Sequence, residues 1–396
     1  MKVKVREGDT LNYYSQLFGI PIKLLQDANR DLDDQQLRRH QTIEIPGFNL
    51  EQYTITDNDE LRFLASSRNL RNDTIFLVNQ DCHFNDLTIG SIIYLPTRVS
   101  RQVINGKRKY DYQALKEDLT TLKVLYPFIK ISEIGKSVLG NPIHEIRLGR
   151  GGKKVHINAS FHANEWITTS VIMTFLNSLL VSITNFSPIH GIHPMKLYDS
   201  IDLSIVPMVN PDGVNLVING PPEELRNELF AINGGGSDFS GWKANIRGVD
   251  LNNQFPANWE IEKERKIPKS PASRDYPGDH ALSEPEAIAM ERLAKENQFE
   301  RVIALHTQGE EFYWGYEGKE PPESKVLANQ FESLSGYKSV QSIDSHAGFK
   351  DWFIQTFEQP GFTIELGKGI NPLPLSQFNE IYRKVEGILI AGIVMD

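Results

Sequence analysis

Apolar and polar residues are distributed along residues 110–396 in a pattern that predicts strands alternating with helices. The apolar runs typical of buried strands are Ile143–Leu148, Val155–Ala159, Ile201–Met208, Val302–Leu305 and Phe362–Leu366. Runs with helical spacing cover Tyr110–Tyr126, Ile167–Leu180, Pro285–Glu296 and Ser324–Leu334. This alternation predicts an α/β fold with a mixed central sheet that helices cover on both faces.

The first hundred residues repeat themselves with a period of 50. A shift of 50 positions superimposes Val5 on Ile55, Asp9 on Asp59, Asn29 on Asn79, Ile43 on Ile93 and Pro46 on Pro96. The alignment needs no gap, and each copy has the pattern of a strand, two short helices and a second strand that ends at a proline. The pattern predicts two small βααβ units in tandem.

The first copy resembles the LysM family of glycan-binding modules. The resemblance rests on Gly8-Asp9-Thr10-Leu11, on Asn29 and on Ile43-Glu44-Ile45-Pro46. The second copy departs from the family, because Asn58 replaces the glycine and Glu60 replaces the threonine of the turn. The resemblance implies the βααβ fold for both copies.

The same resemblance implies a ligand for these modules, a glycan that contains N-acetylglucosamine. The predicted glycan-binding residues are Gly8, Asp9, Thr10 and Asn29 of the first copy. Two weak modules on one chain would hold a polymer more tightly than one module. The alternative is that both copies are packing domains without a sugar site.

Composition and charge limit the classes of binding partner and the cellular compartment that we expect for this protein. A net charge of −9 with no basic block argues against nucleic-acid binding. Cys82 is the sole cysteine, which excludes an intrachain disulfide and a zinc site made of cysteines. The first residues lack the apolar core of a signal peptide, and no run of about 18 apolar residues predicts a membrane span. We therefore expect cytoplasmic synthesis and no membrane partner.

The predicted domain boundaries follow from the repeat and from a polar, basic segment after it. Residues 1–48 and 49–98 form the two LysM-like modules, and residues 99–109 are the linker, in which Asn105-Gly106 predicts a turn. Residues 110–396 form the large α/β domain. Polar residues that follow its strands lie where open α/β sheets bind their ligands.

A candidate metal site begins at His162, directly after the predicted strand Val155–Ala159. Glu165 follows three residues later, and an imidazole nitrogen and a carboxylate oxygen both suit Zn²⁺. A catalytic zinc needs a third protein ligand, which His306 supplies at the end of the run Val302–Leu305. The His-x-x-Glu pair alone is a short motif that also arises by chance.

Glu365 is an acid within the otherwise apolar strand Phe362–Leu366. Because an unpaired carboxylate is costly to bury, we expect Glu365 to face a cavity, a cation or a reactive water. In that position it could act as a general base.

Five motifs together resemble the zinc carboxypeptidase family of carboxypeptidase A type. In chain order they are His162-x-x-Glu165, Asn210-Pro211-Asp212-Gly213, Gly248-Val249-Asp250-Leu251-Asn252, Leu305-His306-Thr307 and Thr363-Ile364-Glu365-Leu366. The resemblance spans roughly residues 110–390. It implies that one Zn²⁺ is bound by His162, Glu165 and His306, and that Glu365 is the general base.

The chain departs from this family at the positions that bind substrate. Asn252-Asn253 replaces an Asn-Arg pair whose arginine binds the substrate's terminal carboxylate. Lys243 aligns with the arginine that stabilises the oxyanion, and Arg247 is an alternative for that role. Ile343 aligns with the family's mobile tyrosine, and the nearest polar residue is His346.

Lys350 falls where the family forms the pocket for the residue after the cleaved bond. A cation there suits a side chain that ends in a carboxylate, although a solvated lysine is an equally good interpretation.

A zinc peptidase without a carboxylate clamp, joined to glycan-binding modules, predicts action on the bacterial cell wall. The combination resembles bacterial peptidases of the cell wall, and this resemblance implies hydrolysis of the γ-D-glutamyl–meso-diaminopimelate bond in peptidoglycan stem peptides, at the cell wall or in the spore. One alternative is a conventional carboxypeptidase acting on ordinary peptides. Another is a glycan-binding protein whose peptidase domain is inactive, and a third is recycling of wall peptides in the cytoplasm.

Overall fold

The computed structural model describes residues 1–32, 37–57 and 59–395, so Asn58 of the second predicted turn lies outside the described residues. The chain forms two compact units whose residues are not continuous in sequence. The first unit comprises residues 1–103, 118–130 and 177–195, and the second comprises residues 104–117, 131–176 and 196–396. The predicted boundaries at residues 48, 98 and 109 stay predictions.

The N-terminal hundred residues form two successive strand–helix–helix–strand elements, in the order the repeat predicts. The first consists of β1 (Lys2–Lys4), α1 (Leu11–Phe18), α2 (Ile22–Ala28) and β2 (Thr42–Glu44). The second consists of β3 (Phe48–Thr54), α3 (Leu61–Ser66), α4 (Asn72–Val78) and β4 (Ile92–Arg98). In each element the two strands pair antiparallel, and apolar side chains from its strands and helices are buried together.

Residues 50 positions apart make the same contacts in the two elements. The Asp9 carboxylate accepts a hydrogen bond from the backbone N–H of Arg6 at 3.3 Å, and Asp59 accepts one from Thr56 at 2.6 Å. The amide of Asn29 bridges the end of α2 to β2, and Asn79 bridges the end of α4 to β4 in the same way. The repeat in sequence is therefore a repeat in structure.

The second unit contains a mixed eight-stranded sheet. Its strands are β5 (Lys130–Lys136), β6 (Pro142–Leu148), β7 (Lys153–Ala159), β8 (Ile201–Val206), β9 (Arg301–His306), β10 (Glu311–Tyr313), β11 (Lys338–Val340) and β12 (Gly361–Glu365). The spatial order is β11-β10-β12-β9-β7-β8-β6-β5. The four central strands β12, β9, β7 and β8 run parallel to one another. The strands next to this core, β10 and β6, run antiparallel to it.

The helices after residue 110 are α5 (Tyr112–Leu125), α6 (Ile167–Asn185), α7 (Pro194–Ser200), α8 (Pro211–Asn219), α9 (Arg226–Ile232), α10 (Trp259–Arg265), α11 (Pro285–Asn297), α12 (Pro322–Ser335), α13 (Phe349–Phe357) and α14 (Phe378–Val394). Neighbouring residues of β9 face opposite sides of the sheet, as the two-residue period of a strand requires. Val302 packs in a buried cluster with residues of α11 and α13, whereas Ile303 packs against Gly392 of α14. Helices therefore cover both faces of the sheet, as the sequence predicts.

Among the described residues, one helix has the length and apolarity of a membrane span. Helix α6 has 19 residues and a mean hydropathy of 1.6 over its most apolar stretch, of which 89% is buried inside the protein. Its polar residues include Thr168, Thr169 and Asn177, which are buried as well. These properties are those of a core helix.

The strand register brings the predicted site residues to one edge of the sheet. Glu365 and His306 are register partners across the parallel strands β12 and β9. Ala159, at the end of β7, pairs with Leu305 next to His306. His162 follows three residues after Ala159, so the predicted ligands converge where the parallel strands end.

Candidate metal centre

The side chains of His162, Glu165 and His306 form one buried cluster. Nδ1 of His162 lies 2.9 Å from Oε1 of Glu165, and Nδ1 of His306 lies 3.2 Å from Oε2 of the same carboxylate. The two Nδ1 atoms are 3.2 Å apart. One donor atom from each residue thus lies within 4.8 Å of the others, and all three side chains are buried.

This donor set fits a single zinc ion. Two imidazole nitrogens and a carboxylate are a combination that catalytic zinc sites use. When both imidazoles carry their proton on Nε2, the two Nδ1 atoms at 3.2 Å point their lone pairs at one place, which is an arrangement that a cation stabilises. Glu165 is also held in its charged form, because His162 and Lys243 outweigh the opposing effect of burial and keep the pKa of Glu165 well below its usual value.

Asp250 orients the first of these ligands. Its Oδ1 lies 3.2 Å from Nε2 of His162, and burial of this pair is nearly complete. When a metal ion occupies the cluster, the Asp250 carboxylate favours the proton on Nε2 of His162 and leaves the lone pair of Nδ1 for the ion. Burial opposes the charged form of His162, but Glu165 and Asp250 outweigh it and raise the pKa of His162 to about 9. The sequence contained Asp250 within a family motif but assigned it no role.

Glu165 has further partners that fix its carboxylate. Oε2 accepts a hydrogen bond from the backbone N–H of Thr307 at 3.0 Å. Oε1 lies 3.1 Å from Nζ of Lys243 and accepts from Nδ2 of Asn371 at 3.4 Å. The amide of Asn371 also bonds to the carbonyl and the hydroxyl of Thr307, which makes this asparagine a second residue without a sequence prediction.

Asn210 connects the segments that carry these residues. Its side-chain oxygen caps α8 by accepting from the backbone N–H of Gly213 at 3.0 Å. Its Nδ2 donates to the carbonyl oxygens of Phe161 and Ala244, which are the neighbours of His162 and Lys243. Gly213 has no room for a Cβ, which would lie 2.6 Å from Oδ1 of Asn210. The motif Asn210–Gly213 therefore holds the backbone next to His162 and Lys243 in place.

Glu365 faces a cavity of about 370 Å³. The cavity is lined by Asn164, Lys243, Arg274, Thr307, Glu365 and Asn371, among others. Burial and the nearby Glu165 carboxylate raise the pKa of Glu365 to about 8. The structure thus brings Glu365 and Lys243 to the edge of the ligand cluster.

Arg247, the alternative to Lys243, lines a different cavity. That cavity has a volume of about 460 Å³ and includes Tyr276, His280 and Glu284. A guanidinium nitrogen of Arg247 lies 3.6 Å from the carboxylate of Glu284. Lys243 is consequently the better placed of the two predicted cations.

The predicted substrate contacts do not line the cavity of Glu365. Oδ1 of Asn252 accepts the backbone N–H of Phe349 at 3.1 Å, and Asn253 is buried. Lys350 is also buried, with Nζ 2.9 Å from the carbonyl oxygen of Gly315 and 2.5 Å from Oδ1 of Asp351.

His346 lines a third cavity, of about 430 Å³, together with Ile343. Its Nδ1 lies 2.9 Å from the hydroxyl of Tyr316. These geometries give His346, Asn252 and Lys350 structural partners, and the contacts of these residues and of Asn253 with substrate stay predictions.

The predicted glycan-binding residues also have structural tasks. Gly8 adopts a left-handed φ of 83°, and Thr10 caps α1 by accepting the N–H of Tyr13 at 3.1 Å. Asp9 accepts from Arg6 and from the Tyr14 hydroxyl. Asn29 is buried, with its amide bonded to backbone groups. Contact with sugar at these positions stays a prediction.

Comparisons with known proteins agree with the fold and with the buried cluster. Residues 115–385 match the family described as Zinc carboxypeptidase, and residues 3–46 match the LysM domain. Over 397 aligned positions the chain is 50% identical to Gamma-D-glutamyl-L-diamino acid endopeptidase 1 of Lysinibacillus sphaericus, and the alignment covers 100% of both chains.

Two solved structures share the fold at low sequence identity. Thrombin activatable fibrinolysis inhibitor superimposes with a TM-score of 0.57 at 18% identity, covering 73% of this chain and 76% of that one. Carboxypeptidase A from Helicoverpa armigera superimposes with a TM-score of 0.56 at 17% identity, covering 89% and 99% of the two chains. These structures support the mixed sheet and its helices.

Proposed function

Because this chain belongs to the zinc carboxypeptidase family, we propose that it hydrolyses peptidoglycan by cleaving the bond between the γ-carboxyl of D-glutamate and meso-diaminopimelate. The observation that carries the proposal is the 50% identity, over the full length, to an enzyme named for γ-D-glutamyl-L-diamino acid cleavage. The buried cluster of His162, Glu165 and His306 supports a single zinc site.

The chemistry of the site follows from the residues around the cluster. When bound by His162, Glu165 and His306, zinc supplies Lewis acidity that makes a water more acidic. Glu365 is the proposed general base, which removes a proton from the attacking water and returns it to the departing amine. Burial and the Glu165 carboxylate outweigh the opposing effect of Lys243 and raise the pKa of Glu365 to about 8, so this carboxyl group can exchange a proton near neutral pH.

Lys243 is the proposed cation for the oxyanion that forms when water adds to the carbonyl. Its ammonium lines the cavity of Glu365 and lies 3.1 Å from Glu165. The Glu165 and Asp250 carboxylates outweigh burial and raise its pKa, so Lys243 keeps its charge at neutral pH. A fixed charge in a site that excludes water stabilises an oxyanion strongly.

The preference for a wall peptide over an ordinary peptide is supported by the absence of an arginine at position 253, where this chain has Asn253. An asparagine there removes the guanidinium with which the family binds the end of a peptide chain. Within the part of the chain that the structure describes, the side-chain bond of Asn252 is made by Oδ1, which leaves Nδ2 for a neutral hydrogen bond to the stem peptide. Lys350 is paired with Asp351, and we leave it out of the proposed contacts.

The LysM domain supports attachment to wall glycan that contains N-acetylglucosamine. This placement would concentrate the peptidase on its polymer, at the cell wall or in the spore wall of a bacterium. The turn at Gly8–Thr10 and the segment after Asn29 are the proposed borders of the glycan groove.

The test uses the tripeptide L-Ala-γ-D-Glu-meso-diaminopimelate and mass spectrometry of the products. We expect release of free diaminopimelate, loss of release with a chelator and recovery with added zinc. An ordinary peptide with a free C-terminus is the control substrate, and it should remain intact. Trimming of that peptide beside an intact tripeptide would contradict the proposal and identify a conventional carboxypeptidase.

A further inference from the structure

Among the described residues that line the cavity of Glu365, two carry a positive charge. Lys243 pairs with Glu165 of the ligand cluster and is already assigned to the oxyanion. Arg274 is different, because its side chain is 56% exposed and its described contact is a bond from Nε to Oδ2 of Asp275 at 3.1 Å. The two Nη groups of Arg274 therefore remain available to a ligand.

The backbone on either side of Arg274 is fixed by residues of the active site. The carbonyl oxygen of Ser273 accepts hydrogen bonds from the N–H groups of Lys243 at 2.8 Å and Ala244 at 3.0 Å. The N–H of Asp275 donates to Oδ2 of Asp250 at 3.2 Å. Arg274 is thus held between the segment of the proposed oxyanion cation and the carboxylate that orients His162.

A second polar group of the same cavity lacks a partner. Asn164 is 3% exposed, and its buried Oδ1 has no hydrogen-bond partner among the described residues. It lies in the turn between His162 and Glu165 and lines the cavity together with Arg274. A buried amide oxygen without a partner costs free energy unless a ligand supplies a donor.

We propose that Arg274 binds the free α-carboxylate of the γ-linked glutamyl residue, while Asn164 accepts a hydrogen bond from the backbone of the same residue. This inference rests on the proposed function. It names the group of the substrate's acyl residue that the enzyme would bind. A γ-linkage uses the side-chain carboxyl of glutamate and leaves the α-carboxylate ionised. The planar guanidinium matches a carboxylate with two parallel hydrogen bonds.

The position of this cavity favours the acyl side over the leaving group. Asn253 and Lys350 fall where the family forms the pocket for the leaving residue, and neither lines this cavity. Lys350 is moreover neutralised by Asp351 at 2.5 Å. Arg274 is therefore the cation that would distinguish a γ-glutamyl substrate from a peptide whose corresponding carboxyl group is amidated.

The experiment compares two tripeptides that differ in one group, L-Ala-γ-D-Glu-meso-diaminopimelate and its D-isoglutamine counterpart with a neutral α-carboxamide. For the zinc-loaded full chain, we expect kcat/KM to be about 30-fold higher on the acid. Arg274→Gln should lower kcat/KM on the acid by about that factor and change it less than threefold on the amide. Arg274→Lys should restore part of the preference, because it keeps the charge and loses the fork.

A matched control is Arg226→Gln, which removes another half-exposed arginine that pairs with Glu223 on the surface. It should leave both rates and their ratio unchanged. If Arg274→Gln lowers both rates equally, the carboxylate contact is wrong while the proposed function stands. If the wild-type enzyme cleaves neither tripeptide, the proposed function itself fails, and this inference fails with it.

Discussion

The carboxylate of Asp250 lies 3.2 Å from Nε2 of His162, on the side of the ring opposite to the ligand cluster. This contact decides which nitrogen of the imidazole is available to a metal. Asp250 also accepts the N–H groups of Asn252 and Asp275, so it is itself held in place. The geometry of the metal site therefore depends on Asp250, which contacts a ligand, as well as on the three ligands themselves.

The contact predicts that Asp250→Asn weakens zinc binding. A neutral amide can present its NH₂ to Nε2 and favour the wrong tautomer of His162, so we expect affinity to fall by about 10–100-fold. Competition with a chromogenic chelator measures the change. Asp344→Asn, at a carboxylate that is 91% exposed, is the control. Unchanged affinity in Asp250→Asn would show that the contact does not orient the ligand.

Glu365→Gln should separate chemistry from metal binding. The amide has the shape of the carboxylate but cannot accept a proton, so we expect kcat to fall by about 10³-fold or more. Because Glu365 is outside the ligand cluster, the zinc content of the purified variant should equal that of the wild type. Metal analysis and steady-state kinetics on one preparation provide both numbers. A variant that loses zinc would make Glu365 a ligand instead of a base.

The sequence predicted the features that depend on local pattern or on a family motif. The period of 50 residues predicted two equivalent elements, and Asp9 with Asp59 shows them to be equivalent in detail. The apolar runs predicted the strands, and the chain order of the motifs predicted that His162, Glu165 and His306 meet. These properties are encoded over short distances or in residue types with few alternative uses.

Features that depend on packing over long distances were not accessible from the sequence. Lys350 looked like a pocket residue, but the fold buries it against Asp351 and Gly315. Arg247 and Arg274 look alike in the sequence. In the structure Arg274 lines the cavity of Glu365, whereas Arg247 lines a different cavity. Where a long side chain points is decided by partners distant in sequence, which periodicity does not reveal.

The two N-terminal elements are joined by an ion pair that should contribute to stability. The guanidinium of Arg6 forms two hydrogen bonds with Asp73, at 2.9 and 2.6 Å, and the Tyr13 hydroxyl donates to the same carboxylate. Asp73 is 35% exposed, so solvent screens the pair and we expect a coupling energy of about 1 kcal/mol or less. A double-mutant cycle with Arg6→Ala and Asp73→Ala in urea unfolding measures it.

The same pair bears on how the modules act. Arg6, the partner of Asp73, adjoins the turn Gly8–Thr10. We therefore expect Asp73→Ala to weaken the binding of the first module to a chitin oligomer, in addition to lowering the stability. Lys4→Ala, which removes a cation that pairs with Asp81 at 3.8 Å on the exposed surface, serves as the control. Zero coupling in the cycle would show that this ion pair does not stabilise the contact between the two elements.

Glu286 should make stability depend on pH. The side chain is fully buried on α11, where it accepts the N–H of Val138 at 3.0 Å and lies 3.4 Å from Nδ2 of Asn245. Burial, with the nearby Asp212 and Glu284 carboxylates, raises the pKa of Glu286 to about 7. The folded state therefore holds this proton more tightly than the unfolded state, whose pKa is near 4.5.

The sign of the effect follows from proton linkage. A raised carboxyl pKa makes ionisation costly in the folded state, so the contribution of Glu286 is most favourable below pH 4.5 and is lost as the pH rises to 7. The loss amounts to roughly 3 kcal/mol at most, because each pKa unit is worth about 1.4 kcal/mol.

Glu286→Gln removes the ionisation and should raise the melting temperature at pH 8 relative to the wild type, with little gain at pH 5. Glu291→Gln, on the same helix but paired with Lys295, is the control. Equal shifts of the Glu286→Gln melting temperature at both pH values would show that Glu286 ionises normally.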